Sequence, residues 1–347
     1  CPNHDPHPTD EEASMRATTI GSLPGTDMRG CLAEVAELFD DLIALPELPA
    51  RGASAGMAGR LTAVLSGLDV DLGPGGWRLA DSSDAAHRRA RALLRQDLDD
   101  VEETLADSQA CAKIAFCGPV TAMTLLHLPR GEVVLADHGA VREVVQSMAT
   151  GLAELVDELH RRMPQVEWML QLDEPAMPAV LAGRIATQSG LHTLAPVPVH
   201  EARRSWQILT RALDGTAVAL HCCAPGVPLE ELGTAIDPVF LDPTTVLAMG
   251  SGTGMDAVAS RLEAGQKVGL GVIATDVPDV VVPADRIITT VVQLTRRWGI
   301  DPALVVDHGL LTPACGLAGW SVPAAREQMR QLTRAARLVD EQLGYGK

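Results

Sequence analysis

A chain of 347 residues, 46% of them hydrophobic, can bury a large core; its length allows two domains, but α/β barrels of this size fold as one. A net charge of −17 and 3% aromatic content argue against a phosphate-binding groove or a base-stacking platform, so nucleic acid is not an expected partner. No apolar run reaches the ~18 residues a membrane helix needs, which leaves no membrane role to expect.

The start, CPNHDPHPTDEEAS, is polar and Pro-rich, neither a signal peptide nor a helix. Residues 1–15 therefore read as a flexible segment ahead of a single domain over 16–347. Seven cysteines lie at positions 1, 31, 111, 117, 222, 223 and 315, with no disulfide-framework spacing and no Cys-x-x-Cys. A reducing cytoplasm is the expected location, with cysteines acting as core residues, ligands or nucleophiles.

In chain order, the strand candidates are 17-ATTIGSL-23, 42-LIALPEL-48, 111-CAKIAFCGP-119, 167-EWMLQLDEP-175, 217-AVALHCC-223, 238-PVFLDP-243, 267-KVGLGVIAT-275 and 303-ALVVDHGLL-311. They are nearly continuous apolar runs, the mark of parallel strands covered on both faces. Helical periodicity fills the gaps, over 84–107, 141–162, 200–214, 284–299 and 322–344. Asp84, Asp285 and Ser321 are suited to start helices, and Gly299 and Gly344 to end them. The GPGG at 73–76 reads as a loop within the domain. About eight strands, each followed by a helix, predict a single-domain (β/α)8 TIM barrel. A doubly wound sheet is the alternative, weakened because no GxGxxG follows a strand.

A barrel carries its chemistry at the C-terminal ends of its strands. Those ends here are Gly21-Ser22, Glu47, Gly118-Pro119, Asp173-Glu174, His221 to Cys223, Asp242, Asp276 and the loop with Cys315. In 217-AVALHCC-223, strand alternation puts His221 and Cys223 on one face and Cys222 on the other. Imidazole and thiolate suit zinc, although an isolated HCC more often belongs to a packed core. Cys315, in 312-TPACGLAGW-320, would add a third N/S donor and leave a fourth position open, as catalytic zinc sites do. In 170-LQLDEPA-176 one of two adjacent carboxylates is expected to face the barrel mouth and accept from a substrate ammonium. The other is expected to pair with an arginine, since two cannot be buried unpaired. Gly21-Ser22, in 17-ATTIGSLPGTD-27, offers backbone N–H groups to a small anion, or serves only as a turn.

The segments TTIGSLP, GPVT, LQLDEPA, HCC and ACGL, in this order from Thr18 to Leu317, resemble the C-terminal catalytic barrel of cobalamin-independent methionine synthase. That family transfers a methyl group to the thiol of homocysteine held on zinc. The resemblance implies a Zn2+ cofactor on His221, Cys223 and Cys315, with Asp242 where the family has a glutamate ligand. It implies that Ile20, Gly21 and Ser22 hold the homocysteine carboxylate and Asp173 its amine, with Glu47 as the second carboxylate for the amine. Asp276 falls where the family has a proton-donating histidine.

There are departures. The chain has room for one barrel, whereas full-length members carry two. Leu125 and Ala179 replace a pterin-stacking tryptophan and a folate-contacting glutamate. The expected function is therefore zinc-dependent formation of methionine from a donor other than polyglutamyl methyltetrahydrofolate, such as a methylcorrinoid or a corrinoid protein. The alternatives are alkyl transfer to another thiol such as coenzyme M, a uroporphyrinogen decarboxylase-like barrel, or a metal-retaining binding protein.

Overall fold

The computed structural model describes residues 15–40, 42–248 and 253–343. Ten strands occur among them: β1 Arg16–Ala17, β2 Ile43–Ala44, β3 Asp69–Gly73, β4 Gly76–Ala80, β5 Cys111–Cys117, β6 Glu167–Asp173, β7 Ala217–Cys222, β8 Val239–Leu241, β9 Val268–Ile273 and β10 Gly309–Pro313. Eight form one parallel sheet in the order β1-β10-β9-β8-β7-β6-β5-β2. Past β1 and β2, a parallel bridge between Ser22 and Glu47 joins the two edges. Leu23 N donates to Glu47 O at 2.9 Å and Glu47 N to Gly21 O at 3.0 Å. These bonds close the sheet into the expected (β/α)8 barrel and leave it no free edge.

The apolar runs build two cores. Ile20, Leu42, Met169, Ala219, Phe240 and Leu310 fill the barrel interior, and a larger layer packs between strands and helices. Alternation along each strand separates the two. In β7, Ala219 faces inward while Leu220 and Cys222 face the helices. Phe240 needs an inward neighbour without a side chain: a Cβ on Gly269 would lie 2.0 Å from its ring.

Several helix ends follow their local chemistry. Asp84 accepts from His87 N to start the helix Ala85–Leu105, as expected. Asp137 caps His138–Arg162 through Gly139 N and Ala140 N. Gly299 ends Ala284–Trp298 in the left-handed conformation, φ 66°. That helix begins after Pro283, so Asp285 lies in its first turn and is not its start. Gly344 lies outside the described residues.

One further expectation needs correction, and two gain detail. The run at 303–311 is not one strand: Pro302–His308 is a helix, with Asp301 accepting from Ala303 N, and only then does β10 begin. The GPGG at 73–76 is the turn of an antiparallel hairpin, β3 with β4, in which Gly73 pairs with Gly76. Residues 1–14 of the segment expected to be flexible lie outside the described residues; Met15, its last residue, is 2% exposed and its N–H donates to Asp340 at 3.1 Å. Among the described residues no helix is long and apolar enough to cross a membrane.

Candidate metal centre

Adjacent strands deliver the centre. His221 pairs in register with Asp173 across β7 and β6, at the C-terminal end of both. Cys223 follows the last residue of β7 on the same face as His221. Cys315 comes from the loop after β10. There Ala314 N donates to Ile273 O at 2.9 Å and Leu317 N to Ser22 O at 2.8 Å. Gly316 makes the close approach possible, because a Cβ there would lie 1.8 Å from Ser22 Oγ. The result is one group of three donor atoms, from His221, Cys223 and Cys315, within 4.8 Å of one another. It is the one such group of three or more among the described residues.

The donor set fits zinc. Bonds of about 2.3 Å to sulfur and 2.0–2.1 Å to nitrogen put tetrahedral ligand atoms roughly 3.5–3.8 Å apart, inside the observed spread. His221 Nδ1 lies 3.1 Å from Asp173 Oδ1, and Nε2 lies 3.2 Å from Ala314 O, next to Cys315. Nε2 donates to the Ala314 carbonyl in this arrangement; with the Nδ1 proton held by the carboxylate, Nε2 is the nitrogen that would exchange its proton for the ion. Burial works against charge on this ring, but the Asp173 hydrogen bond and charge outweigh it and raise its pKa. The two thiols are hydrogen-bonded to each other, with Cys223 as the donor. Donation from Cys223 and the nearby His221 lower Cys315 to about 6 against the effect of burial, and the same contact raises Cys223. A dication in their midst would replace the proton of that hydrogen bond.

Cys222, fully buried toward the helices, has its thiol pushed up to about 12 by burial and takes no part. Asp173 and Glu47 are 4% and 7% exposed. Glu47 Oε2 lies 3.1 Å from Arg60 Nε, yet burial outweighs this ion pair and pushes the carboxyl up to about 7. Gly21, at φ 135°, passes so close that a Cβ would sit 3.0 Å from Glu47 Oε1. Ile20 points into the barrel interior, and its carbonyl accepts from Gln171 Nε2 at 2.8 Å. Ser22, Glu47 and the Cys315 loop thus meet on one rim of the mouth.

Two sequence-predicted residues are not brought to the cluster. Asp242 Oδ1 accepts from Thr244 N at 2.8 Å and Thr244 Oγ1 at 2.6 Å, so it is engaged at the start of the helix Pro243–Ala248 and is not among the gathered donors. Asp276 is exposed in the loop after β9. The expected arginine partner of Glu174 is also absent among the described residues. Its oxygens accept from Val120 N at 3.0 Å, Thr121 N at 2.7 Å and Trp206 Nε1 at 2.9 Å. Sequence reasoning missed Lys113, Gln171 and Arg60, which support the centre from inside. Lys113 is 1% exposed, and burial pulls its ammonium down to about 7 against the attraction of Asp173 and Glu47. A single lysine inside the run CAKIAFC was the available signal.

The fold is shared with a B12-independent methionine synthase from Shewanella sp. W3-18-1, solved in complex with selenomethionine. The two match with a TM-score of 0.55 and 15% identity, over 95% of this chain and 99% of that one. Among curated proteins no sequence matches. Residues 98–338, well over half of the chain, match the family "Cobalamin-independent synthase, Catalytic domain". That span holds Asp173 and the three gathered donors, while Ile20 to Ser22 and Glu47 precede it. On this match and this fold, the chain belongs to the family of cobalamin-independent synthase catalytic domains.

Proposed function

We propose that this protein is a zinc-dependent methyltransferase that methylates the thiol of homocysteine to give methionine. The observation that carries the reading is the convergence of His221, Cys223 and Cys315 within 4.8 Å at the mouth of a barrel of this family. A zinc ion held there would supply a Lewis acid that keeps a thiol, ordinarily of pKa ~8.5, deprotonated at neutral pH.

The chain's own groups do the rest. Asp173 Oδ1 is occupied by His221 and Gln171, so Oδ2 is the oxygen available to a substrate ammonium. Glu47 supplies the second carboxylate, with Arg60 fixing its far oxygen. The backbone of Ile20, Gly21 and Ser22, on the rim beside Glu47, suits the substrate carboxylate. The selenomethionine bound by the Shewanella protein is a product-like amino acid, which supports an amino-acid acceptor. The fourth metal position falls to the substrate sulfur, since Asp242 is held by Thr244. Asp276, exposed beyond β9, could hold water that manages the leaving group's proton.

The donor is a molecule other than polyglutamyl methyltetrahydrofolate. Leu125 and Ala179, both half-buried, offer neither a stacking ring nor a carboxylate. A methylated corrinoid, free or on a carrier protein, is the donor class to test first. The experiment is metal analysis with a homocysteine-dependent methyl-transfer assay against a donor panel. About one zinc per chain, lost together with activity in His221→Ala, is the expected result. A folded preparation that holds no zinc and is indifferent to His221→Ala ends the reading. Methylation of coenzyme M in preference to homocysteine would move the acceptor assignment.

A further inference from the structure

Below the metal centre a line of buried polar side chains descends the barrel interior: His221, Asp173, Gln171 and Lys113, at 4%, 4%, 0% and 1% exposure. Each touches the next. His221 Nδ1 is 3.1 Å from Asp173 Oδ1, and Gln171 Nε2 donates to the same oxygen at 2.8 Å. Gln171 Nε2 also donates to Ile20 O at 2.8 Å. At the other end of the amide, Lys113 Nζ donates to Gln171 Oε1. Lys113 further reaches Ile20 O at 3.4 Å and lies 4.6 Å above the ring of Phe240.

The residue types leave one arrangement. An ammonium only donates, while a carboxylate and a peptide carbonyl only accept. The Gln171 amide has one end of each kind, so its oxygen must face Lys113 and its nitrogen must face Asp173 and Ile20. We propose that Lys113 is a positioning residue for the metal centre: it locks the Gln171 amide so that Asp173 is held on the Nδ1 face of His221 and Nε2 stays directed at the metal. This inference rests on the metal-binding reading above. Without Lys113, the amide oxygen is left buried with no donor, an uncompensated desolvation cost, and Gln171 gains by moving out of this position. A displaced amide would no longer donate to the Asp173 carboxylate and the Ile20 carbonyl. Asp173 would then leave the imidazole, the outer support on which a metal-binding histidine depends.

The charge of Lys113 predicts the opposite sign. Removing a buried cation beneath a dication site would leave zinc bound as tightly or more tightly. Loss of an orienting partner costs about 10–100-fold in metal affinity.

The test is a zinc dissociation constant, measured by competition with a chromophoric chelator. The proteins are the full chain, Lys113→Met, the isosteric Gln171→Glu, Gln171→Leu, and Lys113→Met combined with Gln171→Leu. Circular dichroism and Tm establish folding, and the cobalt(II)-substituted spectrum reports ligand geometry. Lys113→Met and Gln171→Glu should each weaken zinc by about 10–100-fold and alter the cobalt spectrum. Lys113→Met should add almost nothing once Gln171 is Leu, because it acts through the amide. A folded Lys113→Met that binds zinc at least as tightly as the parent overturns the proposal. So does an equal loss in both backgrounds. Should Lys113→Met not fold, Gln171→Glu decides, and unchanged affinity there overturns it. A parent chain that binds no zinc defeats the metal reading and the lock with it; a parent that binds while both variants match it defeats the lock alone.

Discussion

The thiols of Cys222 and Cys223 leave β7 on opposite sides, so the same chemistry has two fates one residue apart. Cys222 packs among the outer core and its sulfur lies 3.8 Å from Ala224 O. Cys222→Ala should keep zinc and cost about 1 kcal/mol of stability, the scale of a small core deletion. Cys223→Ala should lose most of the zinc with little change in Tm of the metal-free protein. Maleimide labelling adds a check: zinc should protect Cys223 and Cys315, and Cys222 should stay unlabelled with or without it. His87 makes the pH argument. Its ring is fully buried, with Nε2 3.0 Å from Thr62 O and Nδ1 2.8 Å from Ser83 Oγ. Burial, helped by Arg91, lowers its pKa below the usual value of 6.5. The unfolded chain therefore takes up a proton that the folded ring resists. This contribution to stability is fully present above pH ~6.5 and declines as pH falls toward the lower folded pKa. Between pH 7.5 and 5.5, Tm should fall further for the parent than for His87→Gln; equal falls would remove His87 from the account.

At the scale of elements, Glu174 ties three together. It directly follows β6, accepts from Val120 N and Thr121 N at the start of the helix Pro119–Leu125, and holds Trp206 on the helix Val199–Ala212. Burial raises its pKa against these donors, which favour the carboxylate. Glu174→Gln places an NH2 among donors and should cost about 1–3 kcal/mol, read by denaturant unfolding. Gly151 shows close approach overruling propensity. Alanine is the better helix former by about 1 kcal/mol, but a Cβ at Gly151 would lie 1.6 Å from Val64 O. Gly151→Ala should therefore lower Tm. The barrel strands were legible because burial on both faces writes them as apolar runs. The start of β10 was not: 303-ALVV-306 is apolar enough for either state, and Asp301 with Pro302 makes it a helix. The β3–β4 hairpin lies outside the barrel and carries Asp69, Asp71 and Arg78, so no buried run marks it.

For the whole molecule, the gathered donors His221, Cys223 and Cys315 could be read because alternation and strand-end placement are local rules. Asp242 and Lys113 could not. Asp242 directly follows β8, but the hydroxyl and N–H of Thr244 occupy its oxygen. Lys113 gains its meaning from Gln171 and Ile20, which are distant in sequence. The net charge of −17 acts on the entire fold. Compactness brings like charges together, so raising salt from 0.05 to about 1 M, where the Debye length shrinks to ~3 Å, should raise Tm. A flat or falling Tm would mean that local pairs such as Arg162 with Asp99 and Glu102 outweigh the long-range repulsion.

Closure of the barrel through the Ser22–Glu47 bridge, with Leu317 N bonded to Ser22 O, has a consequence for biosynthesis. The rim is made of residues far apart in the order of synthesis, Ser22 and Glu47 long before Cys315 and Leu317. At 5–20 residues per second, Cys315 leaves the ribosome on the order of 10 s after His221. Until then the nascent protein displays a histidine and a thiol that cannot by themselves complete the site. Capture of the ion would thus report that the last strand has arrived, and a chain stopped short of Cys315 would be metal-poor and open to proteolysis.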